Sequence, residues 1–201
     1  MLEDDPAMLR HGLAMLINME PDMEVFAEAG DGTEALEILK KNNSIDIILL
    51  DVTLKTVSGL EVIKSIHALV PDLPVLFISM HDESVYAERA LRAGALGYVM
   101  KQEPGEVLLD AIRKVLKGNV FLSKQMHEKL LKRMVMKGSE PEHLMNTLTP
   151  SEFEVLHLIG QGHNSHEISK LLCRSVKTIE THRFNIRTKL NLKDGADLIR
   201  Y

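Results

Sequence analysis

Three short apolar runs are each followed by a side chain that can take part in phosphate chemistry. Asp51 follows the aliphatic residues 47–50, Ser79 ends another run, and Lys101 follows a third. A carboxylate can attack a phosphoryl group, while a hydroxyl and an ammonium can neutralise charge on the transferring oxygens. These residue types therefore favour phosphoryl transfer to Asp51.

A second acidic group lies at the amino terminus, where Asp4 and Asp5 follow Met1 and Leu2. If these carboxylates lie beside Asp51, the cluster is unfavourable unless a hard divalent cation neutralises it. Oxygen ligands of this kind suit Mg²⁺. The residues leave open whether the pair is Asp4-Asp5 or Glu3-Asp4.

The spacing of apolar residues indicates the elements that would bring these side chains together. Strands are predicted at 25–29, 45–50, 75–79 and 98–100, and amphipathic helices at 8–19, 33–41, 60–69, 84–93 and 106–116. This alternation predicts a doubly wound α/β domain with a parallel sheet. The carboxyl ends of its strands would share one edge, where ligands and chemistry are usually found.

The last third of the chain has helical periodicity only. A connector with a helix over 124–137, capped by Ser123, leads to Thr149-Pro150-Ser151-Glu152, which predicts a capping box. Ser165 and Ser175 are predicted to cap two further helices, 165–172 and 176–190, and the turn between them indicates a helix-turn-helix. We predict an α/β domain at 1–118, a linker at 119–146 and a small all-α domain at 147–201.

Composition is that of an ordinary globular protein, with 201 residues, one cysteine and no run long enough to span a membrane. These features predict a cytoplasmic protein without disulfides. The net charge of −5 divides unevenly, since residues 147–201 hold eight Lys/Arg against six Asp/Glu. The last part is therefore mildly basic, which permits a polyanionic partner.

A helical wheel divides the predicted helix 176–190 into two faces. Its apolar positions lie on one side, and Lys177, Thr181, Phe184 and Thr188 lie opposite. The second face would fit a major groove of double-stranded DNA, with Lys177, Arg187 and Lys189 near phosphates and Thr181 and Phe184 near base edges. Taken alone, a helix with this pattern is more often an ordinary surface helix.

The order Asp4-Asp5, Asp51, Ser79 and Tyr98-x-x-Lys101 resembles the receiver domain of two-component response regulators, which has the flavodoxin-like fold. Arg10-x-Gly12-Leu13, Gly59-Leu60-Glu61, Ser79-Met80-His81-Asp82-Glu83 and Ala93-Gly94-Ala-x-Gly97-Tyr98 are similar to the NarL/FixJ subclass.

This resemblance implies that a sensor histidine kinase phosphorylates Asp51. It also implies that Asp4, Asp5, Asp51 and the Thr53 carbonyl bind Mg²⁺. Ser79 and Lys101 would contact the phosphoryl oxygens, and Tyr98 would change rotamer with Ser79.

The last part resembles the LuxR/GerE-type DNA-binding domain through Leu148-Thr-Pro-x-Glu152, Gly160-x-Gly162, Glu167-Ile168 and Val176-Lys177-Thr178-Ile179-Glu180-x-His182. It implies a transcription regulator, not an enzyme, that is a homodimer when phosphorylated, with RNA polymerase as a further candidate partner. The residues placed at or near DNA are Lys177, Thr178, Thr181, His182, Asn185 and Lys189. A helix at 194–201 would dimerise.

Two departures from the family keep other functions open. Leu54-Lys55 replaces the usual Met-Pro and adds a cation, and only Met1-Leu2 stand for the first strand. They motivate an alternative, a phosphorylation-independent DNA-binding regulator whose receiver is only a docking module. A metal-dependent phosphatase is disfavoured, because Thr53 stands where such enzymes usually carry a carboxylate.

Overall fold

The computed structural model describes residues 6–42, 44–54, 58–135, 147–192 and 198. It divides the chain into two compact units, formed mainly by residues up to Lys132 and from Arg133 onward. Within the described ranges, no helix is both long and apolar enough to cross a membrane.

The first unit alternates helices with three short strands of aliphatic residues. The strands are parallel, in the order β1-β2-β3, as expected for a doubly wound α/β fold. Its elements are α1 (Pro6–Asn18), α2 (Gly32–Lys41), β1 (Ile48–Asp51), α3 (Gly59–Leu69), β2 (Val75–Ser79), α4 (Glu83–Arg92), β3 (Gly97–Met100), α5 (Gly105–Leu116) and the larger part of α6 (Lys124–Val135).

The central strand β2 is buried along its whole length. Its side chains alternate between two faces of the sheet, as in any strand. Leu76 and Ile78 pack in a core cluster with Ile17 of α1 and Val115 of α5. Phe77 lies on the opposite face, where Gly59 at the start of α3 approaches its ring. Helices therefore cover both faces, which confirms the predicted fold class.

The predicted strand at 25–29 is wrong, because the structure has no strand at these residues. The backbone N–H of Val25 donates to Asn18 Oδ1 at 2.7 Å, and Phe26 is 56% exposed. A side chain rather than a neighbouring strand thus satisfies this backbone group, so apolar composition alone does not make a strand.

The second unit is helical, with α7 (Pro150–Gly160), α8 (Ser165–Leu171) and α9 (Val176–Leu190). The predicted capping box of α7 is confirmed, since Thr149 Oγ1 accepts the Glu152 N–H and the Glu152 carboxylate accepts the Thr149 N–H. The prediction that Ser165 caps α8 is wrong. Asn164 caps it instead, because its side-chain oxygen reaches two N–H groups of the first turn.

The turn between α8 and α9 is short and contains Cys173 in the left-handed region, at φ 50°. Ser175 caps α9 by accepting the Thr178 N–H, as predicted. Ile179 and Ile186 of α9 are fully buried, together with Ile168 of α8. This packing fixes α9 on its own unit and leaves its other side at the surface.

Candidate functional site

The carboxyl ends of the three strands bring Asp51, Ser79 and Lys101 to one edge of the sheet. Lys101 Nζ donates to Asp51 Oδ2 at 2.7 Å, and the two side chains are only 14% and 26% exposed. The Lys101 backbone N–H donates to the Ser79 carbonyl at 2.8 Å. A half-buried ion pair is stronger than one in open solvent, so Asp51 is held in a fixed position.

The loop after β1 holds the other oxygen of the same carboxylate. Thr53 N–H donates to Asp51 Oδ1 at 3.2 Å, and Gly59 N–H donates to the Val52 carbonyl at 2.8 Å. A Cβ atom at Gly59 would lie 2.0 Å from the Asp51 carbonyl oxygen. Only glycine fits there. Gly59 lies in one of the motifs quoted from the sequence, but the motif alone does not indicate this close approach.

His81 is a second residue of this site that was not predicted from the sequence. Its backbone N–H donates to Ser79 Oγ at 3.1 Å, and its carbonyl accepts the Tyr98 hydroxyl at 2.9 Å. Its ring Nε2 lies 2.7 Å from Thr53 Oγ1, and the ring packs on Tyr86 with centroids 4.8 Å apart. The loop between β2 and α4 is thus tied to the loop beside Asp51. The available signal was its position two residues after Ser79.

The Tyr98 side chain is buried, only 1% exposed, and contacts the loop between β2 and α4. Burial raises the pKa of the Tyr98 hydroxyl, and the hydrogen bond with Ser79 only partly opposes that effect. The nearby charge of Asp51 raises this pKa further. The phenol therefore stays neutral and donates to the His81 carbonyl.

Part of the predicted metal site lies outside the described residues, namely Glu3, Asp4 and Asp5, as does Lys55. Among the described residues, no group of three His, Cys, Asp or Glu side chains could hold a metal. Of the predicted ligands, the described residues include Asp51 and Thr53. The Asp51 carboxylate is a hard oxygen donor of the type that Mg²⁺ takes.

The second candidate site is the surface of α9. Lys177, Thr181 and Thr188 are exposed, and Phe184 is 60% exposed with Arg187 6.0 Å from its ring centroid. This is the stripe that the helical wheel placed opposite the apolar side. The remaining residues predicted to contact DNA are half-buried: Thr178, His182, Asn185, Arg187 and Lys189.

Two charged side chains of α9 bind to neighbouring helices. Lys189 Nζ lies 2.6 Å from Glu152 Oε2, and the Glu152 side chain is only 4% exposed. Burial raises the pKa of Glu152, but hydrogen bonds from Lys189 and Thr149 outweigh burial and leave that pKa below its usual value. Glu180 accepts a hydrogen bond from the Ser165 hydroxyl of α8.

Both parts of the chain match models of known families. Residues 1–113 match the response regulator receiver domain, and residues 146–201 match the bacterial regulatory proteins of the luxR family. The oxygen regulatory protein NreC of Staphylococcus carnosus (strain TM300) is 34% identical over 205 residues, which cover 100% of this chain and 94% of that protein. NreC of Staphylococcus aureus (strain JH9) is 36% identical over 207 residues, with the same coverage.

Solved structures are similar over one or both parts. A LuxR-family two-component response regulator from Aurantimonas sp. SI85-9A1 has 32% identity and a TM-score of 0.60, over 66% of this chain and 94% of that one. RcsB from Salmonella enterica serovar Typhimurium, bound to promoter rprA in the presence of the phosphomimetic BeF3-, has 25% identity and a TM-score of 0.62. That similarity covers 98% of this chain and 94% of RcsB.

Proposed function

The chain belongs to the two-component response regulators that join a receiver domain to a luxR-type DNA-binding domain, and we propose that phosphorylation of Asp51 by a sensor histidine kinase controls its binding to DNA. The observation that carries this proposal is the 2.7 Å contact of Lys101 Nζ with Asp51, beside Ser79 at the strand ends. We propose domain boundaries of 1–118 and 147–201, joined by a linker at 119–146.

In the proposed transfer, an Asp51 carboxylate oxygen attacks the phosphorus of the kinase's phosphohistidine. The phosphorus–nitrogen bond breaks, the histidine nitrogen leaves with the electron pair, and an acyl phosphate forms on Asp51. Such transfers depend mainly on positioning and on neutralising the charge of the phosphoryl oxygens. Lys101 supplies a positive charge at the required place, and Thr53 N–H and the Ser79 hydroxyl supply donors.

Mg²⁺ would be held by Asp51, the Thr53 carbonyl and the acidic pair Asp4 and Asp5, as receiver domains of this family typically bind this ion. When bound, it neutralises negative charge on the transferring oxygens. The 26% exposure of the Asp51 side chain leaves the carboxylate accessible from solvent.

The proposed switch is a rearrangement of the loop between β2 and α4. Ser79 Oγ accepts the His81 N–H at 3.1 Å, and a phosphoryl group on Asp51 would compete for the Ser79 hydroxyl. Turning Ser79 toward that group would disturb the loop and its hydrogen bond to Tyr98. The gain of negative charge at Asp51 would thereby shift the equilibrium between two conformations of this surface.

For the DNA-binding domain we propose that α9 enters the major groove. Phe184, Thr181 and Thr188 would face base edges, while Lys177 and Arg187 would contact phosphates; Thr178, His182 and Asn185 would lie near the backbone. The 60% exposure of Phe184 supports this, since a large apolar side chain at that exposure favours a partner. Because Lys189 is paired with Glu152, we assign it mainly to holding α9 on α7.

We further propose that phosphorylation favours a homodimer in which the segment 194–201 takes part. Only Leu198 of that segment is described, and it is 1% exposed. RcsB has been solved as two dimers on two parallel DNAs, which motivates the same expectation for this chain. Transcriptional control would place the protein in the cytoplasm, with RNA polymerase as a candidate partner.

The test is intact mass, oligomeric state and DNA binding after incubation with acetyl phosphate and Mg²⁺, beside an Asp51→Asn control. A phosphate mass gain that the control lacks, with a shift toward dimer and tighter DNA binding, would support the proposal. DNA binding without any mass gain would instead favour the docking-module alternative.

A further inference from the structure

Glu83 is a buried carboxylate that neither the phosphoryl site nor the DNA-binding surface uses. It begins α4, four residues after Ser79, and is 9% exposed. Its Oε1 accepts the backbone N–H of Ser123 at 2.7 Å. A buried carboxylate is costly unless it is hydrogen-bonded, so this contact strongly favours the observed position of Ser123.

Ser123 is the residue from which the connector helix α6 starts. Its Oγ accepts the Met126 N–H at 3.1 Å, as an N-cap does, and Met126 is 3% exposed. Lys129 of α6 also donates to the Ser84 carbonyl of α4 at 3.1 Å. Two hydrogen bonds therefore hold the first turns of α6 on the start of α4, namely Ser123 to Glu83 and Lys129 to Ser84.

A second route joins the same connector to the switch residues. The Tyr98 backbone N–H donates to the Phe121 carbonyl at 3.0 Å, while the Tyr98 hydroxyl donates to the His81 carbonyl at 2.9 Å. One residue of β3 thus contacts both the connector and the loop after β2. Movement of that loop would disturb both routes.

From these contacts we infer that Glu83 couples the phosphoryl switch to the linker, by holding the start of α6 until the loop between β2 and α4 rearranges. Only Met80, His81 and Asp82 separate Ser79 from Glu83. A shift of Ser79 toward a phosphoryl group would carry Glu83 with it and weaken its bond to Ser123. This inference rests on the proposed phosphorylation of Asp51. The contact that this event would release is the hydrogen bond between Glu83 and Ser123.

The test is hydrogen exchange of the full-length chain over peptides that cover residues 124–132, with and without acetyl phosphate and Mg²⁺. Intact mass is measured in parallel to follow the phosphate on Asp51. In the wild type, phosphorylation is expected to speed exchange in this segment about fivefold, because a helix that loses its docking contacts opens more often.

Variants at Glu83 separate this contact from a general loosening of the receiver. Glu83→Ala should exchange rapidly at 124–132 before phosphorylation and gain little more from it, while still accepting phosphate. Glu83→Gln keeps a side-chain oxygen that can accept the Ser123 N–H and should give an intermediate effect. Glu88→Ala is the matched control on the same helix, where the carboxylate pairs with Arg92, and should behave as wild type.

The outcomes distinguish this inference from the proposed function. A phosphate gain without faster exchange at 124–132, or wild-type exchange in Glu83→Ala, would overturn the coupling and leave the phosphorylation of Asp51 intact. No phosphate gain in the wild type would overturn both. If Glu83→Ala fails to fold, the wild type and Glu83→Gln still decide the question.

Discussion

The two candidate sites of this molecule are prepared for their partners in opposite ways. At the strand ends, the candidate side chains already make contacts: Lys101 pairs with Asp51, and Tyr98 donates to the loop between β2 and α4. On α9, the proposed groove-facing side chains point to solvent, and the structural contacts of the helix come from its other side.

This difference matches the size of what each site would receive. A phosphoryl group is small and highly charged, so a receiver must place each neutralising atom in advance. A DNA duplex is large and binds through many separate contacts, so an exposed stripe on a rigid helix is sufficient. Changes at the strand ends should therefore have large effects, and single changes on α9 should have smaller ones.

The largest effect is expected from Lys101→Met. Removing the ammonium that lies 2.7 Å from Asp51 should slow the phosphate mass gain with acetyl phosphate and Mg²⁺ about 100-fold. Lys114→Met is the control, because that lysine pairs with Asp110 on the surface of α5. Equal rates in both variants would show that Lys101 does not neutralise the phosphoryl group.

Gly59→Ala should destabilise the receiver by about 2–4 kcal/mol, because the new Cβ atom would lie 2.0 Å from the Asp51 carbonyl oxygen. Gly12→Ala in α1 is the control, since no heavy atom lies within 4 Å of its added Cβ. It should stabilise the chain by about 0.5–1 kcal/mol. Urea unfolding measures both; equal midpoints for the two variants would contradict the close approach at Gly59.

Glu152→Gln should destabilise the DNA-binding domain by about 1–3 kcal/mol at neutral pH, since it weakens a charged hydrogen bond to Lys189. The pKa of Glu152 is lower in the folded state, so this stability is present above the unfolded pKa. It is lost as pH falls through the lower folded pKa.

Thermal unfolding between neutral and acidic pH checks this expectation. The difference between wild type and Glu152→Gln should shrink as the pH falls, and a double-mutant cycle with Lys189→Met should give non-additive losses. A difference that stays constant with pH, or additive losses, would mean that the Glu152–Lys189 pair adds nothing to stability.

The smallest effects are expected on the exposed stripe of α9. Phe184→Ala and Lys177→Ala should each weaken DNA binding about tenfold. Lys177→Ala should also reduce, by about one, the slope of the logarithm of the binding constant against the logarithm of salt concentration. Stability should change by less than about 0.5 kcal/mol. Lys170→Ala at the end of α8 is a control for charge alone; an equal loss there would argue against a specific role of the stripe.

Local patterns made much of the fold predictable from the sequence. The strand over 75–79 and the helix over 176–190 have the predicted bounds, because apolar spacing and a capping serine are short-range signals. The prediction of a strand at 25–29 was wrong, because strand pairing depends on a neighbouring strand that is distant in sequence.

The candidate site was only partly predictable for the same reason. The residue types and their positions at strand ends predicted that Asp51, Ser79 and Lys101 lie at one edge of the sheet. The tight fit at Gly59 and the contacts of His81 and Glu83 depend on how loops fold back over the sheet. No local sequence pattern determines those distances, because they arise only when the chain has folded.

The pairing of Phe121 with Gly97 also covers the outer edge of β3. Phe121 donates its N–H to the Leu96 carbonyl at 2.9 Å and accepts the Tyr98 N–H at 3.0 Å. An uncovered strand edge offers these peptide groups to other chains and invites aggregation. Release of the linker residue Phe121 from β3 would expose these peptide groups. The segment that carries the signal would then also be the one that keeps a resting copy from adhering to its neighbours.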